Sequence, residues 1–407
     1  MLYDVALVGG GIVGLATARG LLLRHPRLKL IVLEKDEVLA AQQTGHNSGV
    51  IHSGVYYRPG SLKARLCLEG RALLWKYCDA NRIAYRNVGK LIVATEEREL
   101  AALDRLYARG LANGIAELRM LDGGGIAQRE PHCRGIRAIH SPLTGIVDFA
   151  LVARSLGRDV LRAGGAVETG RRVDSIRRMG SATILHTSRG EVEARYVVTC
   201  GGLHADRLAR MTGGPADPKI VPFRGSYLVL APAKRDLIFG NIYPVPDAAL
   251  PFLGAHFTPR MNGEVWIGPN AVLAFAREGY RRSAVNLRDL VETLSYPGFV
   301  KLTARHCASG LRELYRDAVR SAYVKTLQRY VPELQAARVR SGPSGVRAQA
   351  VTAGGALVDD FAFDWFDNGV HVRNAPSPAA TSALAIGKFV AGEVDRRFGL
   401  GSSAAVV

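Results

Sequence analysis

Gly9-Gly10-Gly11-Ile12-Val13-Gly14 follows the apolar run Tyr3 to Val8 and opens a second apolar stretch from Ile12 to Leu23. Strand, glycine turn and helix in that order begin a βαβ unit, and Lys29 to Glu34 supplies its second strand. The glycines fit G-x-G-x-x-G, and each has a physical reason. Gly9 permits the tight turn, Gly11 lets the backbone approach a pyrophosphate, and Gly14 lets helix and strand pack closely. Ile12 and Val13 lie at the helix mouth, where unpaired N–H groups and a partial positive charge favour phosphates. Twenty residues past Gly14, Glu34 ends the second strand, where a carboxylate can accept hydrogen bonds from an adenosine ribose. The stretch therefore predicts a dinucleotide-binding fold.

The loop alone does not separate FAD from NAD. A second glycine-ended strand, Tyr196-Val197-Val198-Thr199-Cys200-Gly201-Gly202, returns to a similar geometry far downstream. Such a return strand against the same cofactor is a feature of flavoproteins with two dinucleotide-type halves, so the pairing favours FAD, against the alternative of an unrelated buried strand.

Bulk composition narrows the class. The 407 residues suffice for two domains, and 48% hydrophobic with 22% charged residues is ordinary for a globular enzyme. Lys and Arg number 54 against 36 Asp and Glu, a formal net charge of +18, and 44 of the bases are arginine. The excess is dispersed, with no run beyond pairs such as Arg171-Arg172. It implies a positive field that attracts acidic substrates or anionic lipid, without a specific nucleic-acid site. Five scattered cysteines without C-x-x-C argue for reduced thiols and against a structural metal. The chain opens directly on its first strand, and no apolar stretch is long enough to span a bilayer. A cytoplasmic protein is expected, in at most peripheral contact with the inner face of a membrane.

Further along, the pattern predicts helices from Ser61 to about Ala80, Glu96 to about Gly110, Phe149 to Arg162 and Ala379 to Val394, with Ser61 and Asp148 as N-caps. Short alternating runs broken by Pro and Gly between Val221 and Gly268 predict an antiparallel sheet. The expected fold class is α/β: a Rossmann-like FAD-binding domain (1–88, 146–215 and 336–407) and a substrate-binding domain on a mixed, largely antiparallel sheet (89–145 and 216–335).

Thr44-Gly-His-Asn-Ser-Gly-Val-Ile-His-Ser-Gly-Val-Tyr-Tyr57 is dense in small and polar residues, which let backbone run close to a flat ring and hydrogen-bond it. His46 and His52 are six apart with no further ligand at a convincing spacing, so no metal site is expected. His52 suits a general base near neutral pH, the alternative being a packed or surface histidine.

Gln43 to Tyr57, followed by Pro59-Gly-Ser-Leu-Lys-Ala64, resembles the signature of the FAD-dependent L-2-hydroxyglutarate dehydrogenases and oxidases, within the D-amino-acid-oxidase-like flavoproteins. Thr144-Gly-Ile-Val-Asp148, Pro222-Phe-Arg-Gly225, Ile242-Tyr-Pro-Val-Pro-Asp247, His256-Phe-Thr-Pro-Arg260, Ile267 to Ala274, Gly345-Val-Arg-Ala-Gln349 and Asn374-Ala-Pro-Ser-Pro-Ala-Ala-Thr381 continue it in family order. The resemblance implies non-covalent FAD and oxidation of L-2-hydroxyglutarate to 2-oxoglutarate, a small dicarboxylate reaction. Electrons would pass on to oxygen, a quinone or a carrier flavoprotein. It places Lys35, Thr44, His46, Asn47, Ser48, Gly49, Val173, Gly201, Gly202, Val346, Ala379, Ala380 and Thr381 with Gly9, Gly11, Ile12, Val13, Gly14 and Glu34 around FAD. Two departures stand out: Ser226 where an acidic residue usually follows Phe-Arg-Gly, and the loose Asp122-Gly-Gly-Gly125.

Oxidising a 2-hydroxy acid needs hydride transfer from C2 to flavin N5 and a base for the hydroxyl proton, for which His52 is the candidate. Two carboxylates need cations, and Arg347 sits in the block expected beside the ring. Tyr57, Lys90, Arg224, Tyr227, Tyr243, His256 and Asn374 are the expected substrate contacts. The small, proline-bearing approach to the last helix would aim its amino terminus at the flavin's pyrimidine end. Rival readings are an amine or amino-acid oxidase of the same fold and, more distantly, a flavin-containing RNA-binding or RNA-modifying protein.

Overall fold

In the computed structural model, residues 1–247 and 254–400 are described. The parts of the expected domains at 248–253 and 401–407 lie outside them. The first apolar run becomes the Leu2–Val8 strand at the centre of an eight-stranded sheet. Leu30–Leu33 and Gly190–Thr199 flank it, with Ala166–Glu168 and Gly369–Asn374 outside these, all five parallel. Val5, Ala6 and Leu7 are wholly buried. Burial on both faces is why the strand reads as continuous apolar sequence and not as alternation. Gly190–Thr199 changes partners along its length: its first half pairs antiparallel with Ala182–Thr187, its second half parallel with Gly369–Asn374.

The helices Ile12–Arg24, Leu62–Ala80, Phe149–Arg162 and Ala379–Phe398 bury a shared apolar core with the sheet, including Leu15, Leu21, Leu66, Val152, Ile386 and Val390. Each such side chain contributes roughly 1.5–3 kcal/mol when removed from water. The carboxy-terminal helix is clasped at backbone distance. A Cβ on Gly387 would lie 2.5 Å from the Ala16 carbonyl oxygen, and one on Gly70 would lie 2.5 Å from Ser382 Cα. This packing delivers residues from the two ends of the chain to one place: Thr381 Oγ1 accepts from His52 N at 3.1 Å and donates to the Val50 carbonyl at 3.3 Å.

The second sheet has nine strands. Every pairing is antiparallel except that of Asn241–Pro244 with Lys90–Ala94, so it is mixed and largely antiparallel. One expected boundary is corrected. Residues 336–351 were assigned to the FAD-binding domain, but Val339–Val351 pairs along Lys219–Leu230 in the second sheet. Arg340-Ser-Gly-Pro-Ser-Gly345 has no apolar alternation; its extended form is imposed by the neighbouring strand. Three helices unassigned from sequence, Leu287–Leu294, Pro297–Ala318 and Arg320–Leu327, join this half, and Tyr323, Val324 and Leu327 pack with Leu230 and Ile267.

Local signals hold where a side chain closes them. Ser61 caps its helix by accepting from Ala64 N at 3.1 Å, and Asp148 does so from Ala150 N at 2.9 Å. Even Asp122-Gly-Gly-Gly125 starts a helix, Gly123–Arg129, because Asp122 Oδ1 accepts from Gly125 N at 2.8 Å.

Candidate active site

A cavity of about 1220 Å³ is lined by residues of both large sheets. Gly9, Gly11, Ile12, Val13, Gly14, Glu34 and Lys35 form one end, and His52, Tyr57, Tyr227, Tyr243, His256 and Arg347 the other. At the first end the glycines do separate work. Gly9 has φ +116°, and a Cβ there would meet the Cys200 carbonyl oxygen at 2.4 Å. One on Gly14 would lie 2.1 Å from the Gly9 carbonyl oxygen, whereas at Gly11 nothing is nearer than Thr44 Oγ1 at 3.4 Å. Gly11 is thus the open face of the loop. Thr44 Oγ1 accepts from Ile12 N at 3.1 Å, while the N-cap residue itself, Gly11, has no side chain with which to cap the helix.

Glu34 Oε2 accepts from Gly10 N at 2.6 Å and Oε1 from Asp36 N at 2.9 Å. Burial raises its pKa, a tendency that these two backbone bonds oppose. Each carboxylate oxygen keeps a further lone pair for a ribose hydroxyl. Lys35 bonds Asp36 and Glu278, both at 2.8 Å. Val173, Gly201, Gly202, His46, Asn47 and Ser48 line the middle, with His46 Nδ1 3.0 Å from the Ser344 carbonyl and its ring 4.3 Å from that of Tyr280. Gly49 does not line the cavity. Its φ of +75° is left-handed, and a Cβ there would also lie 2.8 Å from the Val147 carbonyl oxygen, so the turn itself calls for glycine.

Val346, Asn374, Ala379, Ala380 and Thr381 line the far end. The Ala379–Phe398 helix has no side-chain cap. The amino termini of Ile12–Arg24, whose first N–H is taken by Thr44, and of Ala379–Phe398 therefore line one cavity, one beside the glycine loop and one beside His52, an arrangement that fits a dinucleotide with a flavin at its far end. Asn374 Nδ2 donates to the Val358 and Asp360 carbonyls at 2.9 and 2.8 Å, and its Oδ1 is buried without a partner.

His52 Nδ1 is likewise buried without a partner. Desolvation first, then the charges of Lys90, Lys63 and Arg347, hold its pKa well below the ordinary histidine value. The imidazole is neutral at pH 7 and able to take a proton. His256 is depressed in the same way by burial, Lys90, Arg347 and His52. Its ring stacks on Tyr243 at 3.9 Å, and its Nδ1 lies 3.1 Å from Thr258 Oγ1, so it forms a wall of the cavity. Tyr57, Tyr227 and Tyr243 are pushed up by burial and stay protonated. Desolvation lowers Arg347, a setting that favours an anion beside it.

Two expected substrate contacts are displaced. Arg224 lies on the face of its strand opposite Gly225 and Tyr227, which line the cavity. The period-two alternation of a strand turns it away, and its guanidinium donates to Ser226 Oγ at 3.1 Å and Asp317 Oδ2 at 3.0 Å. Asp317, from the Pro297–Ala318 helix, supplies the carboxylate that pairs with Arg224. Lys90 does not line the cavity either. It is 2% exposed, with Nζ 4.3 Å from the Tyr243 ring centre and 5.1 Å from that of Tyr56. Burial pushes it down to about 7. Lys63 and Asp359, which do line the cavity, were missed; Lys63 stood in the quoted Pro59–Ala64 block, but nothing local tied it to Asp359.

Residues 4–393 match the family described as FAD dependent oxidoreductase. The chain belongs to that family. It is 52% identical to "L-2-hydroxyglutarate dehydrogenase, mitochondrial" of Nematostella vectensis, over 98% of this chain and 91% of that protein. The protein of the same name from Homo sapiens is 49% identical, over 98% and 90%. Among solved structures, the FAD-bound L-alpha-glycerophosphate oxidase of Mycoplasma pneumoniae superposes with a TM-score of 0.77 at 22% identity, covering 97% of this chain and 95% of its own. Glycine oxidase from Geobacillus kaustophilus gives 0.73 at 22% identity, covering 97% and 95%. The latter two share the fold. This member of the FAD-dependent oxidoreductases uses FAD, and the cavity described above fits it. The cytoplasmic expectation is corrected, because these relatives are named as mitochondrial proteins. All five cysteines are unpaired, which does not say in which compartment the protein resides. No helix among the described residues is long and apolar enough to cross a membrane.

Proposed function

We propose that the chain oxidises L-2-hydroxyglutarate to 2-oxoglutarate, with non-covalently held FAD and His52 as the base. The observation that carries the mechanism is one neutral, partly accessible imidazole whose electrostatic neighbours are Lys63, Lys90 and Arg347. That setting suits a dianion whose hydroxyl must lose a proton. Bound FAD supplies hydride acceptance from C2 at N5. His52 takes the hydroxyl proton, its backbone fixed by the Thr381 hydroxyl. Arg347 holds the carboxylate next to C2 and so sets which face of that carbon is presented. Burial first, and then Lys90 acting through space behind the tyrosine rings, keep His52 neutral until the dianion enters.

Anaerobic bleaching of the flavin tests the substrate class. L-2-Hydroxyglutarate should reduce it, and amino acids and glycine derivatives should not; a flavin left oxidised by L-2-hydroxyglutarate defeats the proposal. The same panel with and without oxygen separates oxidase from dehydrogenase behaviour. Acid precipitation should leave the yellow colour in solution, and colour in the pellet would mean a covalent link.

A further inference from the structure

Lys63 stands in the first turn of the Leu62–Ala80 helix, and the chemistry above gives it no contact with the substrate. The helix end itself is occupied: the Asp360 carboxylate accepts from Leu62 N at 3.0 Å and from Lys63 N at 2.8 Å. The Lys63 side chain reaches elsewhere. Its Nζ donates to the Asp359 carbonyl at 2.9 Å and to Asp359 Oδ1 at 2.8 Å, and lies 5.1 Å from the centre of the Tyr57 ring. Lys63, Tyr57 and Asp359 all line the cavity.

The two members of this ion pair are unequal. The Lys63 side chain is 10% exposed and that of Asp359 is 83% exposed. An exposed carboxylate stays hydrated and loses little on leaving such a pair. An ammonium withdrawn from water needs an anion beside it. Asp359 is therefore the replaceable partner, and its exposure marks the side of the cavity that opens to solvent. The hydroxyl of the substrate must reach His52 and the adjoining carboxylate Arg347, so a five-carbon chain is left with its far carboxylate towards that opening.

We infer that Lys63 is the receptor for the distal carboxylate, and that Asp359 is a placeholder which the substrate displaces. This rests on the proposal that the substrate end of the cavity is the His52 end. Lys63 keeps the Asp359 carbonyl and the Tyr57 ring face, and exchanges Asp359 Oδ1 for a substrate oxygen. A 2-hydroxy acid without a second carboxylate has nothing with which to make the exchange. The pair thus selects the diacid by competition.

The test is steady-state kinetics of the FAD-loaded full chain with an electron-accepting dye, using L-2-hydroxyglutarate and the monocarboxylate L-2-hydroxypentanoate. Lys63→Met should raise KM for the diacid about 10- to 100-fold, the worth of a charge-assisted hydrogen bond, and should change KM for the monoacid far less, since the effect of Lys63 on His52 is common to both acids. Asp359→Asn should move KM for the diacid the other way, about two- to fivefold down, because a competitor is removed. A merely structural tie would make both substitutions act in the same direction, or alike on both acids, and either outcome overturns the inference. If Lys63→Met fails to retain FAD, Asp359→Asn decides alone: an unchanged or raised KM rejects the placeholder. His52→Ala separates the underlying reading, because flavin reduction as fast as in the parent protein would defeat the base assignment whatever Lys63 does.

Discussion

At the glycine-loop end of the cavity, Glu34 has both carboxylate oxygens on backbone N–H groups and Thr44 is bonded to Ile12 N, so these groups are held in place before any ligand arrives, although Gln42 Oε1 is buried without a partner. The His52 end is built the other way. His52 Nδ1 and Asn374 Oδ1 are buried without partners, and Lys90 has ring faces but no ion pair among the described residues. The first region is a finished cradle that any molecule with the right phosphate spacing can enter. The second holds positive charge in a desolvated place, which costs stability and which an entering anion would relieve. Binding and chemistry are thus divided between a self-satisfied end and an unsatisfied one.

The contrast can be broken most directly at the unsatisfied end. His52→Ala should keep the yellow protein and slow anaerobic flavin reduction by roughly 10²–10⁴-fold in stopped flow; an unchanged rate removes His52 from the mechanism. At the satisfied end, Gly14→Ala puts a Cβ 2.1 Å from the Gly9 carbonyl oxygen. It should weaken FAD binding about 10- to 100-fold, read by flavin fluorescence titration, while leaving the reduction rate of whatever enzyme is loaded.

A subtler test is electrostatic. Lys90 helps hold the His52 pKa below its ordinary value, and removing a nearby positive charge stabilises the imidazolium. Lys90→Met should therefore move the acid limb of the kcat/KM profile to higher pH, so that activity at mildly acid pH falls first. A limb that stays put, or moves down, means Lys90 does not act on the base. The smallest effect belongs to neither end. Asp122→Ala removes a helix cap and should cost about 1 kcal/mol in denaturant unfolding with kcat/KM unchanged. A kinetic change would tie that turn to the chemistry.

Legibility follows the same division. The glycine loop, the Leu2–Val8 strand and Glu34 lie within one stretch of chain, and their spacing reflects contacts between near neighbours. Sequence pattern therefore predicts them. The block resemblance pointed to His52, Arg347 and Thr381, and the fold brings all three to one cavity. Arg224 shows the limit: its block was recognised, but only the register of Lys219–Leu230 decides which face it occupies, and that face meets Asp317. Val339–Val351 was likewise unreadable as a strand, since its extended form comes from a partner more than a hundred residues away.

By itself, the sequence determined a dinucleotide loop, an α/β fold with a second, largely antiparallel sheet and, through its ordered blocks, the family. Those features rest on local geometry and on motifs that survive as written text. The tertiary structure alone decided that Lys90 lies behind two tyrosine rings, that Arg224 faces away and that Lys63 meets Asp359 in the cavity wall. The reason is that a charge acts through distance and dielectric, and both are set by which distant segments the fold brings together.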